Sequence, residues 1–400
     1  MADQIGITTP AGFRAAGVHS GIKPDADKPD LALVVSDVPA VAAATFTTNK
    51  VCGAPVKVSR PRIEAGGMMR AVIVSSGCAN VCTGPEGLDD ARRMALLVAR
   101  GLDVAEEEVL VASTGRIGPR LPMDKVEAGI PAALEALARG SEADDAAARG
   151  IMTTDLRPKR AGTTVTIADT TATIAGICKG SGMIEPNMAT MIAVLTTDLA
   201  VEQDALRLAL TNAVDRSFNM ITVDAATSTS DTVVLLGNGA AGGVPLTRDD
   251  TQYSVFATAL ESVCVDLAKQ IVRDGEGATK LVEIEVTGAV KRRDARRVAK
   301  QIANSPLLKC AIHGGDANWG RVVGAAGNAT AAVDEHKIAC WFGEVLVFDR
   351  GKPVAADPKA LEAALAGPDV SIHVDLGLGT ARVVCWTCDL SEEYVRINMH

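Results

Sequence analysis

Thr190 is the residue whose setting in this chain most directly suggests chemistry. It follows a glycine-loosened, proline-bearing turn within GICKGSGMIEPNMATMIAVLTTD, residues 176–198, and an apolar run begins immediately after it. A threonine hydroxyl is a weak nucleophile at neutral pH unless a base lies beside it, and a threonine that starts a chain can use its own α-amine as that base. An α-amine titrates near pH ~8, close to working pH. The pattern therefore predicts a buried threonine nucleophile at the step from Ala189 to Thr190.

Three further polar positions lie at the ends of apolar elements, where packing in a hydrophobic core does not explain a polar residue. Ser113-Thr114-Gly115 ends an apolar strand, and a threonine hydroxyl beside a glycine amide can form a two-donor oxyanion hole. Glu276 stands between two glycines after a long helix, and Lys179 could neutralise a substrate carboxylate. Taken singly, these are an ordinary turn, a helix C-cap loop with a solvated acid, and a surface lysine. Their combination, each at the end of a buried element, favours a catalytic site.

The sequence gives no support for other familiar catalytic or cofactor-binding motifs. The five histidines have no metal-ligand spacing, and the string Lys179-Gly180-Ser181 lacks the upstream glycine of a phosphate-binding loop. Cys385 and Cys388 form a Cys-x-x-Cys, but they lie in a strand-like run without a partner pair, which favours packing over metal binding. We therefore expect no metal and no bound cofactor.

The composition is that of a soluble, well-packed protein. The chain has 400 residues, of which 48% are hydrophobic and 22% charged, so two structural lobes are expected. A net charge of -9 without a basic cluster makes nucleic acid and anionic membranes poor partners. There is no apolar stretch of membrane-spanning length and no signal-peptide pattern at the start, and the nine cysteines, an odd number, favour reduced thiols. These features predict a cytoplasmic protein.

Hydrophobic patterns place these residues on alternating strands and helices. Apolar runs at 31–35, 71–75 and 109–113 predict buried strands, and the alternation over 163–175 predicts a hairpin that leads into the Thr190 segment. Helical spacing begins at Ala205 and again at Phe256. A smaller α+β lobe is expected from about 280 to 400, with helices near 292–303 and 358–366, a hairpin over ACWFGEVLVF and two closing strands around Gly377-Leu378-Gly379.

Several longer motifs give the chain a recognisable resemblance. It is similar to the ornithine acetyltransferase family, also called the glutamate N-acetyltransferase or ArgJ family, over nearly its whole length from TTPAGFRAAGVHSGIK onwards. The motifs, in chain order, are STGRIGPRLP (113–122), KGSGMIEPNMATM (179–191), SFNMITVD (217–224), TSTSDT (227–232), DGEGATK (274–280), GGDANWGRV (314–322) and WTCDLSEEYVRIN (386–398).

The resemblance implies a self-cleaving acetyltransferase. The precursor would cut itself between Ala189 and Thr190 by an N-to-O acyl shift, which gives an α chain, 1–189, and a β chain, 190–400. Thr190 would then accept acetyl from N2-acetyl-L-ornithine and pass it to L-glutamate in a ping-pong cycle. Thr114 and Gly115 match the family's oxyanion pair.

The same resemblance implies the substrate contacts and the fold. Lys179, Glu276 and Asn398 match substrate-binding positions, as does a threonine in Met152-Thr153-Thr154-Asp155, where Thr153 is favoured. The fold would be an ArgJ/DmpA-like α+β layered sandwich with a smaller C-terminal lobe, and the assembly α2β2. Some family members also use acetyl-CoA as a donor. Family members usually continue to a terminal hydroxyl that touches substrate, whereas this sequence stops at Met399-His400, so either the sequence is trimmed or that contact is lost.

Two other functions remain open from the residues alone. The same threonine could pass its acyl group to water, which would make the protein an N-terminal-threonine amidohydrolase or aminopeptidase. Alternatively, Thr190 could merely start a strand in an unprocessed, inactive scaffold. Dependence of product release on glutamate separates the transferase from the hydrolase, and a denaturing gel separates a processed enzyme from a scaffold.

Overall fold

The computed structural model describes residues 5–185 and 191–399, so Ala189 and Thr190 lie outside the described residues. The chain divides into two compact units. The first comprises Met1–Asn219 and Thr227–Ile271, and the second comprises Met220–Ala226 and Val272–His400. The second unit thus begins a few residues before the expected position near 280 and recruits a short segment from earlier in the chain. Each unit is built on one β-sheet.

The sheet of the first unit has eight strands among the described residues. They are β1 (Phe13–Val18), β2 (Leu31–Phe46), β3 (Met69–Cys78), β4 (Val109–Arg116), β5 (Lys159–Ile167), β6 (Thr170–Lys179), β7 (Ile192–Thr197) and β8 (Thr232–Gly237). Their order is β4-β3-β2-β8-β7-β6-β5, with β1 paired to β2. The three apolar runs predicted as buried strands are the cores of β2, β3 and β4. The predicted hairpin is β5 and β6, which turn at Ala168.

The long strand β2 joins the two halves of this sheet. Its first part pairs with β3 and its last part with β8, and its register shifts between Val35 and Ala40. Side chains from both halves enter one buried cluster, for example Val72 of β3 with Val194 of β7 and Val234 of β8. The halves therefore share a core in the manner of a sandwich, which confirms the α+β layered fold class.

Within the described part of this unit, six α-helices accompany the sheet: α1 (Ala54–Glu64), α2 (Gly84–Leu102), α3 (Met123–Glu135), α4 (Ser141–Gly150), α5 (Gln203–Arg216) and α6 (Tyr253–Arg273). A second cluster joins Met94 of α2 and Ile130 of α3 to Leu33, Ile73 and Val111 of the sheet. The two amphipathic helices predicted from the spacing that begins at Ala205 and Phe256 are α5 and α6.

The second unit has a six-stranded sheet of order β12-β11-β10-β13-β9-β14. Its elements are β9 (Leu281–Ala289), α7 (Arg292–Ala303), α8 (Pro306–His313), α9 (Trp319–Gly327), β10 (Ala339–Phe342), β11 (Val345–Asp349), β12 (Lys352–Pro353), α10 (Pro358–Ala366), β13 (Asp369–Asp375), β14 (Ala381–Cys388) and α11 (Glu392–Ile397).

The predicted elements of this unit are present. The helices α7 and α10 have the predicted bounds, and β10 and β11 form the predicted hairpin. The two closing strands, β13 and β14, do not pair with each other, because both pair with β9, in parallel and antiparallel fashion respectively. Across 5–185 and 191–399, no helix is long and apolar enough to cross a membrane.

Candidate active site

Three strands of the first unit bring polar residues to one edge of the sheet. Lys179 is the last residue of β6 and is paired in register with Ile192, the first residue of β7. Ile192 is in turn paired with Thr232, the first residue of β8. Met191 and Asp231, which directly precede β7 and β8, therefore lie at the same edge as Lys179. The candidate nucleophile Thr190 precedes Met191 in the chain and is outside the described residues.

The backbone of Met191 is fixed on both sides. Its N–H donates to Oδ1 of Asp231 at 2.6 Å, and its carbonyl oxygen accepts from the N–H of Thr232 at 3.1 Å. The carboxyl of Asp231 thus supplies the acceptor that a continued strand would have supplied. As a result, the first described residue after Thr190 has a single defined backbone position.

The rest of the Asp231 carboxyl is unusual. The residue is 0% exposed, and its Oδ2 has no hydrogen-bond partner among the residues that the structure describes. Burial raises the pKa of Asp231 well above the usual carboxyl range, and the Met191 N–H and the charge of Lys179 do not offset it. Because a buried charge without compensation is costly, burial favours the protonated form of this side chain.

Asp155 organises the neighbouring charges. Its carboxylate accepts from the N–H of Thr153 at 2.9 Å, from the N–H of Gly180 at 2.7 Å and from Nζ of Lys159 at 2.7 Å. Nζ of Lys179 lies 3.9 Å away, and the side chains of both lysines and of Asp155 are buried. Burial acts to raise the pKa of Asp155, but the charges of Lys179 and Lys159 outweigh it and hold the pKa well below the usual range. The structure therefore brings together two predicted substrate contacts, Thr153 and Lys179, on either side of an ionised Asp155.

The predicted oxyanion pair lies at the end of β4. Thr114 is buried and paired with Ser76 of β3, and Gly115 is exposed and paired with Gly77. Gly115 has φ +125°, and a β-carbon there would lie 2.3 Å from the carbonyl carbon of Gly77, so only glycine fits. Ser76 Oγ donates to the carbonyl oxygen of Gly150 at 2.6 Å, which ties β3 to the chain that leads into Asp155.

The second unit holds the other two predicted substrate contacts. Nδ2 of Asn398 donates to Oε2 of Glu276 at 2.8 Å and to the carbonyl oxygen of Tyr394 at 2.9 Å. The glycine-flanked loop is fastened to α11, because Oγ of Ser391 donates to the carbonyl oxygen of Gly277 at 2.6 Å. Burial, with the nearby carboxylates of Asp224 and Glu276, raises the pKa of Tyr394 to about 12. Glu276 and Asn398 are thus in direct contact, beside a tyrosine that stays protonated.

Three charged residues at this edge were missed by the sequence reasoning. Asp155 lies in Met152-Thr153-Thr154-Asp155 and Asp231 in TSTSDT, but nothing in their spacing revealed their partners. Lys23 donates to the carbonyl oxygen of Pro29 at 2.6 Å, and its Cγ lies 3.3 Å from where a β-carbon on Gly77 would be. Burial lowers the pKa of Lys23 to about 8, although Asp30 and Asp155 attract its charge. A buried acid among hydroxyls just before an apolar strand was the available signal for Asp231.

The two thiols of the Cys-x-x-Cys are buried in β14. Burial raises the pKa of Cys388, and its Sγ lies 3.7 Å from Nζ of Lys309. Among residues 5–185 and 191–399, no group of three or more His, Cys, Asp or Glu side chains is arranged to hold a metal ion.

Comparison with known proteins identifies the family. A model of the ArgJ family matches residues 14–400. The chain belongs to the ArgJ family. Arginine biosynthesis bifunctional protein ArgJ of Symbiobacterium thermophilum is 49% identical over 394 residues, which are 98% of this chain and 97% of the relative. The protein of the same name from Geobacillus kaustophilus is 45% identical over 98% of this chain and 95% of its own.

A solved structure of an ArgJ protein is also similar to this chain. The crystal structure of arginine biosynthesis bifunctional protein ArgJ from Bacillus halodurans is 42% identical, with a TM-score of 0.50, and the match covers 51% of this chain and 95% of that chain. The resemblance inferred from the motifs is confirmed, and so is the expectation of an acyltransferase of arginine biosynthesis. The roles of individual site residues stay predictions.

Proposed function

We propose that the chain is a self-cleaving acetyltransferase that moves acetyl from N2-acetyl-L-ornithine to L-glutamate through an acetyl ester on Thr190. The observation that carries this proposal is ArgJ-family membership over residues 14–400. The described residues on either side of 186–190 suit the chemistry, since Lys179 is buried beside Asp155 and the N–H of Met191 is held by Asp231.

Two observations support cleavage between Ala189 and Thr190. The match to the solved chain from Bacillus halodurans covers 95% of that chain and 51% of this one. That share of this chain is the length expected of one processed half. In addition, the hydrogen bonds of Met191 with Asp231 and Thr232 hold the first described residue of the proposed β chain, 190–400, in the sheet.

The transfer cycle needs only one nucleophile and a base. The Thr190 oxygen forms a bond to the acetyl carbon of the donor, the amide C–N bond breaks, and ornithine leaves with the hydroxyl proton on its amine. The glutamate amine then attacks the ester, and the proton it loses restores the Thr190 hydroxyl. The α-amine of Thr190 carries the proton between these steps. Thr114 and Gly115 donate to the oxyanion of each tetrahedral intermediate.

The proposed substrate contacts match the shared head group of the two amino acids. Lys179 binds the α-carboxylate, and the ionised Asp155, 3.9 Å from its Nζ, favours the charged form of that lysine. Thr153, whose backbone is held by the same Asp155, contributes a hydroxyl. In the second unit, Glu276 and Asn398 are proposed to contact the amino-acid substrate as well, where a carboxylate suits an ammonium.

The proposal extends to assembly and donor. We infer an α2β2 assembly of the two processed chains in the cytoplasm, small-molecule substrates and no bound cofactor. Acetyl-CoA is a further possible donor for glutamate. An assay of glutamate acetylation with acetyl-CoA as sole donor decides whether the enzyme is monofunctional or bifunctional.

The decisive experiment incubates purified enzyme with N2-acetylornithine, with and without glutamate. Transfer predicts that sustained ornithine release requires glutamate and yields N-acetylglutamate. Free acetate produced at the same rate without glutamate would instead identify an amidohydrolase that uses the same nucleophile. A denaturing gel of the active protein should show two bands, and a single band of 41.3 kDa would contradict self-cleavage.

A further inference from the structure

Asp231 is a buried acid whose hydrogen bonds are only half used. Oδ1 accepts from the Met191 N–H at 2.6 Å, while Oδ2 has no hydrogen-bond partner among the residues that the structure describes. Asp231 itself is 0% exposed. Buried polar atoms are nearly always paired in folded proteins. An unpaired oxygen at this position therefore calls for an explanation beyond packing.

Asp198 shows what a purely structural acid looks like in the same sheet. It directly follows β7, as Asp231 directly precedes β8, and it is also buried. Both of its oxygens are used: Oδ1 accepts from the N–H of Thr173 at 2.7 Å and Oδ2 from the N–H of Ala11 at 2.9 Å. If Asp231 served only to extend the strand pairing, one acceptor would be enough and an ionisable group would be unnecessary.

The covalent chain places the proposed cleavage next to the residue that Asp231 holds. The nitrogen of Thr190 is three backbone bonds from that of Met191. The Met191 nitrogen is itself 2.6 Å from Oδ1 of Asp231. Lys179 at the end of β6 is the charged side chain with a resolved effect on this carboxyl, and burial outweighs it, so the pKa of Asp231 is raised and its protonated form is favoured.

Resting on the proposed self-cleavage, we propose that Asp231 is the acid that protonates the Thr190 nitrogen as the Ala189–Thr190 bond breaks. The Thr190 oxygen bonds to the Ala189 carbonyl carbon, the bond from that carbon to nitrogen breaks, and the nitrogen takes the Asp231 proton. The carboxylate left behind takes the proton of the hydroxyl, so the acid is regenerated. Water then hydrolyses the ester, which frees the Ala189 carboxylate and restores the Thr190 hydroxyl.

The test compares two matched substitutions in precursor labelled during cell-free synthesis, with band conversion on a denaturing gel as the readout. Asp231→Asn keeps an oxygen that can accept the Met191 N–H but has no acidic proton. Asp198→Asn makes the same change in the structural acid. Loss of a general acid slows a step by about a hundredfold or more, so Asp231→Asn should cleave at least that much more slowly, and Asp198→Asn within about threefold of wild type.

The pH profile separates an acid from a structural contact. Wild-type cleavage should slow on the alkaline side as Asp231 loses its proton, and this measurement needs no variant. Asp231→Asn should lack that alkaline fall. Cleavage of Asp231→Asn within about threefold of wild type would overturn the proposal, as would a slow variant that keeps the alkaline fall or a wild-type profile without one.

Thr190→Ala distinguishes failure of this proposal from failure of the proposed function. If Thr190→Ala does not cleave while Asp231→Asn cleaves normally, the nucleophile stands and the acid is wrong. Cleavage of Thr190→Ala would remove the self-cleavage mechanism and the Asp231 proposal with it.

Discussion

Nζ of Lys179 lies 3.9 Å from Oδ2 of Asp155, and both side chains are buried. The same carboxylate is also held by Lys159 and by two backbone N–H groups, so its position and charge are strongly determined. A lysine buried alone would tend to lose its proton. The opposite charge of Asp155 therefore favours the cationic form of Lys179, which would attract an anionic substrate.

Asp155→Asn should destabilise the protein markedly. Removing one partner of a buried ion pair leaves uncompensated charge and costs about 3–5 kcal/mol, and here two lysines lose their counter-ion. Urea denaturation measures the change. Asp145→Asn is the control, because Asp145 pairs with Arg149 on the surface of α4 and its loss should cost no more than about 0.5 kcal/mol. Equal effects of the two substitutions would show that the buried cluster is not stabilising.

The lowered pKa of Asp155 predicts that the stability of the protein depends on pH in the acid range. The pKa of Asp155 is held below its ordinary value, so its contribution is present above the unfolded pKa of about 4 and is lost as the pH falls through the folded pKa. The unfolding free energy should decline below about pH 4, and Asp155→Asn should flatten part of this decline. Denaturation curves at a series of acidic pH values test it, and an unchanged slope in the variant would contradict it.

Lys179→Met should weaken substrate binding and spare self-cleavage. Methionine keeps the length of the side chain and removes the charge that is proposed to meet the α-carboxylate. Hydrogen bonds to charged groups contribute about 1.5–3 kcal/mol, so KM for both N2-acetylornithine and glutamate should rise roughly ten- to a hundredfold. Steady-state kinetics measures KM, and the two-band pattern on a gel is the internal control. An unchanged KM for both substrates would place their carboxylates elsewhere.

The sequence was sufficient for elements whose patterns are local. Apolar runs identified β2, β3 and β4, and helix α7 follows from Ala295, Val298 and Ile302, which recur at helical spacing and are buried. The pairing of the strands was harder to predict from the sequence, because it depends on segments that are far apart in the chain. Strands β13 and β14 are neighbours in the chain, but β9 lies between them in the sheet.

The candidate site could be predicted from the sequence only in part, for the same reason. Thr114, Lys179 and Glu276 carry chemistry that can be recognised in their immediate sequence. Asp155 and Asp231 matter through partners that folding supplies: Gly180 is 25 residues from Asp155, and Met191 is 40 residues from Asp231. Neither the raised pKa of Asp231 nor the lowered pKa of Asp155 follows from the sequence, since burial and nearby charges decide both.

Thr114→Val should reduce kcat and leave the fold intact. Valine has nearly the shape of threonine, so the buried end of β4 should still pack, but the proposed hydroxyl donor to the oxyanion is lost. Loss of one such donor typically costs about a hundred- to a thousandfold in kcat, with little change in KM because the donor acts in the transition state.

Thr114→Ser is the matched variant, because it keeps the hydroxyl and should retain most of the activity. Gly115→Ala provides a contrast, since its β-carbon would lie 2.3 Å from Gly77 and the variant should lose stability together with activity. Melting temperatures separate the two effects: Thr114→Val should melt near the wild type and Gly115→Ala well below it. If Thr114→Val kept full kcat, the oxyanion would have to be stabilised without this hydroxyl.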